Sequence, residues 1–162
     1  MTIKVLVFSD SHGKFRNIQE VIELNKSVCD LIVFLGDGIS DIERVRDKYD
    51  IPCIIIKGNC DVFMSGEYTE ESMIYIGDTL TFLSHGHKYG VKYSYGKIAL
   101  EAYERGASLV LFGHTHRPID EYLQVKDRNI KIFNPGSIKD GNFGVLETSG
   151  KVLISNIGKL EK

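Results

Sequence analysis

Two histidines in alternate positions, His114 and His116, follow a short apolar run at residues 108–112. The run has the length and the apolar, β-branched character of a buried strand, and a glycine follows it directly. An ordinary turn at the end of a strand would accept many kinds of polar residue. Two imidazoles there indicate a binding site, because side chains two residues apart in an extended segment point to the same side.

Polar residues also follow the other strand-like runs. The segments are SDSHG, GDG, GNCD, SHGH, GHTH and NPGS, in that order along the chain. Taken singly, Asp10 and Asp37 could cap helices or turns, and Asn59 could form an Asx turn. Turns do not require every histidine of the chain, however, and all five lie in these segments. Their joint occurrence therefore favours a binding site.

The donor types of this set indicate a divalent metal ion. Imidazoles, carboxylates and a carboxamide without a cysteine pair suit Mn, Fe, Co or Zn, whereas a structural zinc site would be richer in thiolates. The candidate ligands are more than one four-coordinate ion needs: Asp10, His12, Asp37, Asn59, His85, His114 and His116. We therefore predict a catalytic centre with two metal ions that share a bridging carboxylate.

Hydrophobic periodicity predicts the elements that must position these residues. In the first half, apolar runs predict strands at 3–8, 31–35 and 53–57, and helical patterns predict helices at 15–26 and 41–49. This βαβαβ order is typical of a parallel sheet with right-handed crossovers. The carboxyl ends of such strands form the ligand-binding edge of an open α/β sheet, so the polar segments should converge there.

The second half predicts mostly antiparallel strands around one helix at about 94–105. Strand pairs are predicted at 72–76 with 80–84, 119–125 with 129–133, and 144–148 with 151–157. No linker-like segment or internal repeat interrupts the chain. We therefore predict one α/β domain over residues 1–162, a sandwich of two mixed β-sheets flanked by helices.

Composition narrows the class of partner. Lys and Arg number 20 against 22 Asp and Glu, so the formal net charge of −2 does not predict a nucleic-acid-binding surface. The apolar runs are far shorter than the ~20 residues that cross a bilayer, and no signal-peptide pattern is visible, so we expect a cytoplasmic protein without a membrane partner.

The three cysteines, Cys29, Cys53 and Cys60, form no CxxC pair, and their odd number disfavours a disulfide framework.

The motifs DxH, GD, GN, HGH and GHTH, in this order from Asp10 to His116, resemble those of the calcineurin-like metallophosphoesterase superfamily. The length, GNCD and NPGS resemble its YfcE-type branch of small phosphodiesterases. The resemblance implies a four-layer αββα fold and two divalent ions, with Mn²⁺ as the first candidate and Zn²⁺, Fe²⁺, Co²⁺ and Ni²⁺ as alternatives. It places Asp10, His12 and His116 on one ion, Asn59, His85 and His114 on the other, and Asp37 between the two.

The function that the resemblance implies is hydrolysis of a small phosphate diester by in-line attack of a hydroxide held between the ions. Asp37 would hold both ions, Asn59 would contact metal and phosphate, and His87 would lie at the rim of the substrate site. Residues 61–71 and 88–96 should border the pocket. Backbone N–H groups near three glycines would help to bind the anion, because glycine permits close approach: Gly13, Gly38 and Gly136.

One residue departs from the superfamily pattern. Many members have a histidine after GN that protonates the leaving group, and this chain has Cys60 there. A thiol could donate a proton, but a small packing residue is the simpler interpretation.

Other functions stay open at this stage. They are a phosphomonoesterase, a nuclease, which the net charge disfavours, and a non-catalytic protein-binding scaffold of the retromer-subunit type. That retromer subunit lacks some of the ligand histidines, whereas every ligand position is filled here, which favours an enzyme. A homodimer is the commonest alternative to a monomer.

Overall fold

The computed structural model describes residues 2–63 and 67–161, which form ten strands and three α-helices. The first half contains β1 (Thr2–Phe8), α1 (Phe15–Asn25), β2 (Leu31–Phe34), α2 (Ile39–Arg46), β3 (Cys53–Ile55), β4 (Glu71–Ile76) and β5 (Thr79–Ser84). The second half contains α3 (Gly96–Glu104), β6 (Leu109–Leu111), β7 (Ile119–Val125), β8 (Arg128–Asn134), β9 (Asn142–Ser149) and β10 (Val152–Lys159). The elements predicted from periodicity are thus confirmed, with shifts of a few residues at their ends.

Two five-stranded sheets pack face to face, with helices on their outer faces. The strand orders are β10-β9-β1-β2-β3 and β4-β5-β6-β8-β7. Alternation along β1 builds two layers of core at once, because Leu6 and Phe8 pack against α1 and α2 while Val5 and Val7 pack against the second sheet. A third cluster lies between the second sheet and α3. The predicted αββα sandwich of two mixed sheets is therefore confirmed.

The second sheet is more parallel than the sequence pattern predicts. β5, β6 and β8 pair in parallel at its centre, and β4 and β7 pair antiparallel at its edges. The helix α3 supplies the crossover between β5 and β6 that a parallel pair requires. As a result, the carboxyl ends of three adjacent strands in this sheet point to one edge.

Pairing distant in sequence completes the first sheet. β1 pairs in parallel with β2, and on its other side it pairs antiparallel with β9, with Lys4 opposite Glu147. The hairpin of β9 and β10 is closed by Gly150 at φ 61°, a conformation that glycine adopts without a Cβ clash. This turn lies at the amino-terminal end of β1, opposite the edge where the polar segments emerge. None of the helices described combines the length and the apolar character that a membrane crossing needs.

Candidate metal centre

Six of the seven predicted ligands form two groups at the carboxyl-end edge of the sheets. Within each group, the possible ligand atoms lie within 4.8 Å of one another. The groups are Asp10 with His12 and His116, and Asp37 with His85 and His114. Asn59 is exposed, and its amide Nδ2 contacts Cys60 Sγ at 3.7 Å, so its role as a ligand stays a prediction.

The first group is built around the fully buried carboxylate of Asp10. Its Oδ2 accepts hydrogen bonds from the Ser9 hydroxyl and, at 3.0 Å, from the His114 backbone N–H. Its Oδ1 has no hydrogen-bond partner among the described residues, and it lies 3.3 Å from His116 Nε2 and 3.7 Å from His12 Nε2. A buried carboxylate oxygen without a donor is costly unless a cation fills the space in front of it.

The second group is built around His85, which is also fully buried. Its Nδ1 donates a hydrogen bond to the Leu35 carbonyl at 2.7 Å, because a carbonyl oxygen can only accept. In the neutral ring, Nε2 therefore carries the lone pair. This nitrogen lies 3.2 Å from Asp37 Oδ2 and 3.3 Å from His114 Nδ1. This tautomer is the one in which imidazole Nε2 binds a metal ion while Nδ1–H is held by a second partner.

Lone pairs therefore converge in both groups, and a divalent cation would satisfy them. The electrostatics show a site that favours positive charge: burial raises the pKa of Asp37, but contact with His85 more than offsets this and holds it well below its usual range. Burial lowers the pKa of His85, but the carboxylates of Asp37 and Asp10 more than offset this and raise it above its ordinary value. Burial and the charge of His85 lower the pKa of His114 to about 4, so its ring is neutral at pH 7. The residues present fit a centre that binds divalent metal.

Asp37 lies between the two groups, as a bridging ligand must. Its Oδ2 is 3.2 Å from His85 Nε2 in one group and 4.0 Å from His12 Nε2 in the other. Its Oδ1 accepts the Cys60 backbone N–H at 2.8 Å, which orients the carboxylate. Only 3% of the residue is exposed. Asp37 thus faces both groups from a fixed position, and Asp10 Oδ1, 3.9 Å from His85 Nε2, also faces the second group.

The backbone at the ligands is strained. Six non-glycine residues in the described ranges have positive φ, and all but Lys126 are predicted ligands: Asp10 (56°), His12 (42°), Asp37 (63°), His114 (71°) and His116 (63°). This left-handed conformation costs about 1–2 kcal/mol per residue and concentrates at functional sites. The expectation that His114 and His116 share an extended segment is wrong, since both are left-handed and their side chains enter different groups.

Glycines in the motifs allow the backbone to approach the ligands closely. A Cβ at Gly58 would lie 2.3 Å from Asp37 Oδ1, and a Cβ at Gly113 would lie 1.8 Å from Ser9 Oγ. Neither distance is compatible with a side chain. The glycines of GN and GH are therefore required by the packing of the two carboxylates that they adjoin.

Asp61 organises the centre in a way that the sequence did not predict. Its Oδ2 accepts the N–H groups of Asp37 at 2.7 Å and Gly58 at 2.8 Å. Its Oδ1 accepts those of Gly38 at 2.9 Å and Ile39 at 3.1 Å, at the start of α2. The carboxylate joins the loops after β2 and β3 and fixes the backbone of the bridging residue. The only sequence signal was an acidic residue two positions after Asn59.

Replacing Asp61 by Ala is expected to lower the free energy of unfolding by about 3 kcal/mol, because four backbone donors in a largely buried turn lose a charged acceptor. Urea denaturation of the metal-free proteins measures the change. The matched control is Asp50→Ala, since Asp50 is exposed and should change the stability by less than about 0.5 kcal/mol. Equal effects of the two substitutions would contradict the role given to Asp61.

The N–H groups of the three glycines near which anion binding is predicted are already used inside the protein. Gly13 N–H donates to Asp41 Oδ2 at 2.8 Å, Gly38 N–H to Asp61 Oδ1 at 2.9 Å, and Gly136 N–H to Asn134 Oδ1 at 2.8 Å. A donor with a short internal partner is not free for a ligand, so these three N–H groups do not bind an anion, and anion binding by other N–H groups near them stays a prediction. These contacts instead make the loops around the centre rigid.

His87 and Cys60 lie beside the second group. The ring centroid of His87 is 5.4 Å from that of His85 and 6.1 Å from that of His114, and its Nδ1 has no partner among the described residues. Cys60 is exposed, but partial desolvation of its thiol and the charge of Asp37 raise its pKa, so the thiol is neutral at pH 7. Part of the predicted pocket border, residues 64–66, lies outside the described residues.

Comparison with known proteins places this arrangement in a known family. Residues 3–156 match the calcineurin-like phosphoesterase superfamily domain. The probable metallophosphoesterase YsnB of Bacillus subtilis is 32% identical over 137 residues, which cover 85% of this chain and 76% of the relative.

Solved structures share the fold over nearly the whole chain. A conserved uncharacterized protein and predicted phosphoesterase from Streptococcus pneumoniae has a TM-score of 0.77 at 25% identity, with 98% of this chain and 90% of that chain covered. Vps29 of Entamoeba histolytica in complex with Zn²⁺ has a TM-score of 0.74 at 19% identity, with 98% of each chain covered. At 19% identity the second likeness shows the fold alone.

Proposed function

Because the chain belongs to the calcineurin-like phosphoesterase superfamily, we propose that it is a phosphodiesterase that works with two divalent metal ions. The observation that carries this proposal is the position of Asp37, whose Oδ2 faces His85 Nε2 in one group and His12 Nε2 in the other. A single-ion site would not need a carboxylate between two sets of imidazoles. Relatives named as metallophosphoesterases support a phosphoric ester hydrolase.

Each group would hold one ion. Asp10, His12 and His116 would bind the first, His85, His114 and Asn59 the second, and Asp37 both. Mn²⁺ is the first candidate, and the mixture of imidazole and carboxylate ligands also suits Zn²⁺, Fe²⁺, Co²⁺ and Ni²⁺. Ions of this kind, when bound, stabilise negative charge on a phosphoryl group and lower the pKa of water.

Residues around the centre would orient the substrate and hold the metal ligands in the position and tautomer that metal binding needs. Asp61 and the Cys60 N–H hold Asp37 in place, and the Leu35 carbonyl holds His85 in the tautomer that leaves Nε2 free. His87, half-buried beside His85, would donate a hydrogen bond to a phosphoryl oxygen at the rim of the site. Asn59 would contact the same phosphate. Fixed donors and ligands need little reorganisation during the reaction.

A general acid for the leaving group is not evident in the described residues. The oxygens of Asp61 are occupied by four backbone donors, so the carboxyl is not a proton source. The thiol of Cys60 has a raised pKa and holds its proton more firmly than a free thiol. A leaving oxygen would therefore depart as an anion or take its proton from water.

We expect the rate to fall steeply as the pKa of the leaving group rises. General acid catalysis contributes about 10²–10⁴-fold, and its absence affects poor leaving groups most. Nitrophenyl diesters should therefore turn over readily and simple alkyl diesters slowly. The measurement is kcat/KM over a series of aryl and alkyl diesters at saturating Mn²⁺, with phosphomonoesters assayed in parallel.

Two variants separate the candidate proton donors. Cys60→Ser should change the rates little at every leaving-group pKa, and His87→Ala should lower them moderately and uniformly through lost substrate contacts. A shallow dependence that becomes steep in one variant would identify the replaced residue as a general acid. If a protein loaded with metal hydrolyses no mono- or diester, the proposal fails, and the scaffold function becomes the better explanation.

A further inference from the structure

A cavity of about 260 Å³ lies beside the candidate metal centre, and neither metal group accounts for it. Its lining comes from two segments: Val91, Lys92 and Tyr95 before α3, and Thr115 and Arg117 after β6. Thr115 stands between His114 and His116, one from each metal group. The cavity is therefore lined in part by the loop that carries ligands of both groups.

Two cationic side chains line this cavity, and no carboxylate of the described residues does. Its lining includes Lys92 and Arg117 and no acidic residue, and neither cation forms an ion pair within residues 2–63 and 67–161. The chain as a whole has a net charge of −2, so the excess of positive charge here is local. Tyr95 is the N-cap residue of α3, so the positive end of a helix dipole adds to the same region.

The backbone around the cavity is fixed in advance. The Thr115 hydroxyl accepts the Arg117 N–H at 3.0 Å and the amide of the fully buried Asn134 at 3.0 Å, which holds the turn that carries Arg117. On the other side, the ring of Tyr95 packs against Phe112 with centroids 5.6 Å apart, and Val91 is buried. A cavity whose walls are already ordered loses little entropy when a ligand binds.

Lys92 lines the same cavity as Thr115, whose chain neighbours His114 and His116 belong to the two metal groups. A substrate whose phosphate lies at the metal centre would extend its organic part into this cavity. Two unpaired cations there would attract a second negative charge, and an arginine fork matches a phosphate or carboxylate in shape. A purely apolar substituent would gain nothing from the two cations, which are exposed to solvent.

We propose that the organic part of the substrate bears a second anionic group, a phosphate or a carboxylate, which binds between Lys92 and Arg117. This inference rests on the proposed phosphoesterase function and adds a substrate class to it. Thr115 positions Arg117, and Tyr95 provides an apolar wall for the atoms that connect the two anionic groups.

Matched pairs of aryl phosphodiesters test the proposal. Within each pair, one ester carries a phosphonate and the other its uncharged dimethyl ester, and the leaving-group pKa values are matched. The anion is placed on the leaving aryl group in one pair and on the retained alkyl group in the other. We expect the wild-type protein with Mn²⁺ to prefer the anionic member of at least one pair by tenfold or more in kcat/KM.

The double variant Lys92→Met/Arg117→Met should lose most of this preference. Its kcat/KM for the diester with the dimethyl phosphonate substituent should stay within about threefold of the wild-type value. Bound metal ions would attract an anion in the wild type and in the double variant alike. The contribution of the cavity is therefore measured by the difference between the two proteins in their preference for the phosphonate-bearing ester. The matched control is Lys151→Met, in the β9–β10 turn at the opposite edge of the first sheet. It should leave the preference unchanged.

A binding measurement keeps this test separate from that of the proposed function. Isothermal titration of the Mn²⁺-loaded proteins with hydroxybenzylphosphonate should give an affinity at least fivefold weaker for the double variant than for the wild type and for Lys151→Met. Hydrolysis of the uncharged ester without a charge preference, or equal phosphonate binding by all three proteins, would overturn the cavity assignment. Normal phosphonate binding without hydrolysis of any ester would contradict the phosphodiesterase and leave the anion site in place.

Discussion

Asp37→Asn is expected to remove both metal ions together and to lower phosphodiesterase activity by about 10³-fold. The amide keeps the shape of the carboxylate but loses the negative charge between the two groups of imidazoles. Stabilisation by metal ions is worth several kcal/mol of barrier, and each 1.36 kcal/mol changes the rate tenfold. Metal content after dialysis, together with kcat/KM for a nitrophenyl diester, measures both effects.

The matched control for this substitution is Asp78→Asn. Asp78 is an exposed residue in the turn between β4 and β5, at the end of the sheet away from the candidate centre. It should retain two ions per chain and full activity. An Asp37→Asn protein that still binds two ions tightly would show that the carboxylate does not bridge, and loss of only one ion would assign Asp37 to a single site.

His114→Ala and His116→Ala are expected to abolish most activity by removing different ions. The side chain of His114 lies with Asp37 and His85, and that of His116 lies with Asp10 and His12. Loss of one ligand leaves a weakened site, and the proposed reaction needs both ions, so each variant should lose about 10³-fold in kcat/KM. Anomalous-scattering maps of the two variants in Mn²⁺ should show reduced occupancy at opposite positions.

Rescue by added metal distinguishes the two variants in solution. His116 is the more exposed residue, and its group opens to solvent, whereas the second group includes the fully buried His85. Each variant therefore serves as the control for the other, with a different metal concentration needed to restore activity. Maps with the same occupancy pattern in both variants would refute the assignment of the two histidines to separate ions.

Local sequence patterns predicted most of the secondary structure because each element shows its own period. The two apolar faces of β1 alternate residue by residue, and the helices carry apolar residues at helical spacing. The predicted ligands also come from local patterns, since each follows the end of a strand. Side-chain type at these positions was sufficient to indicate metal chemistry, and the grouping that the resemblance implies matches two clusters of side chains in the structure.

Several features depended on contacts between residues far apart in the sequence. Nothing in the sequence of β9 indicates that it pairs with β1, because an apolar strand can pair with many partners. The oxygens of Asp61 accept backbone N–H groups from the loops after β2 and β3, which are joined only in the folded chain. The N–H groups of Gly13, Gly38 and Gly136 donate to side chains of the protein.

The sequence by itself thus determined the elements, the order of the polar segments and the kind of metal chemistry that they support. The tertiary structure decided how those segments meet: the left-handed backbone of the ligands, the distances from Asp37 to the two groups, and the cavity lined by Lys92 and Arg117. The reason is physical. Periodicity and motif spacing reflect interactions between neighbours in the chain, whereas the geometry of the centre is set by packing between two sheets whose strands are distant in sequence.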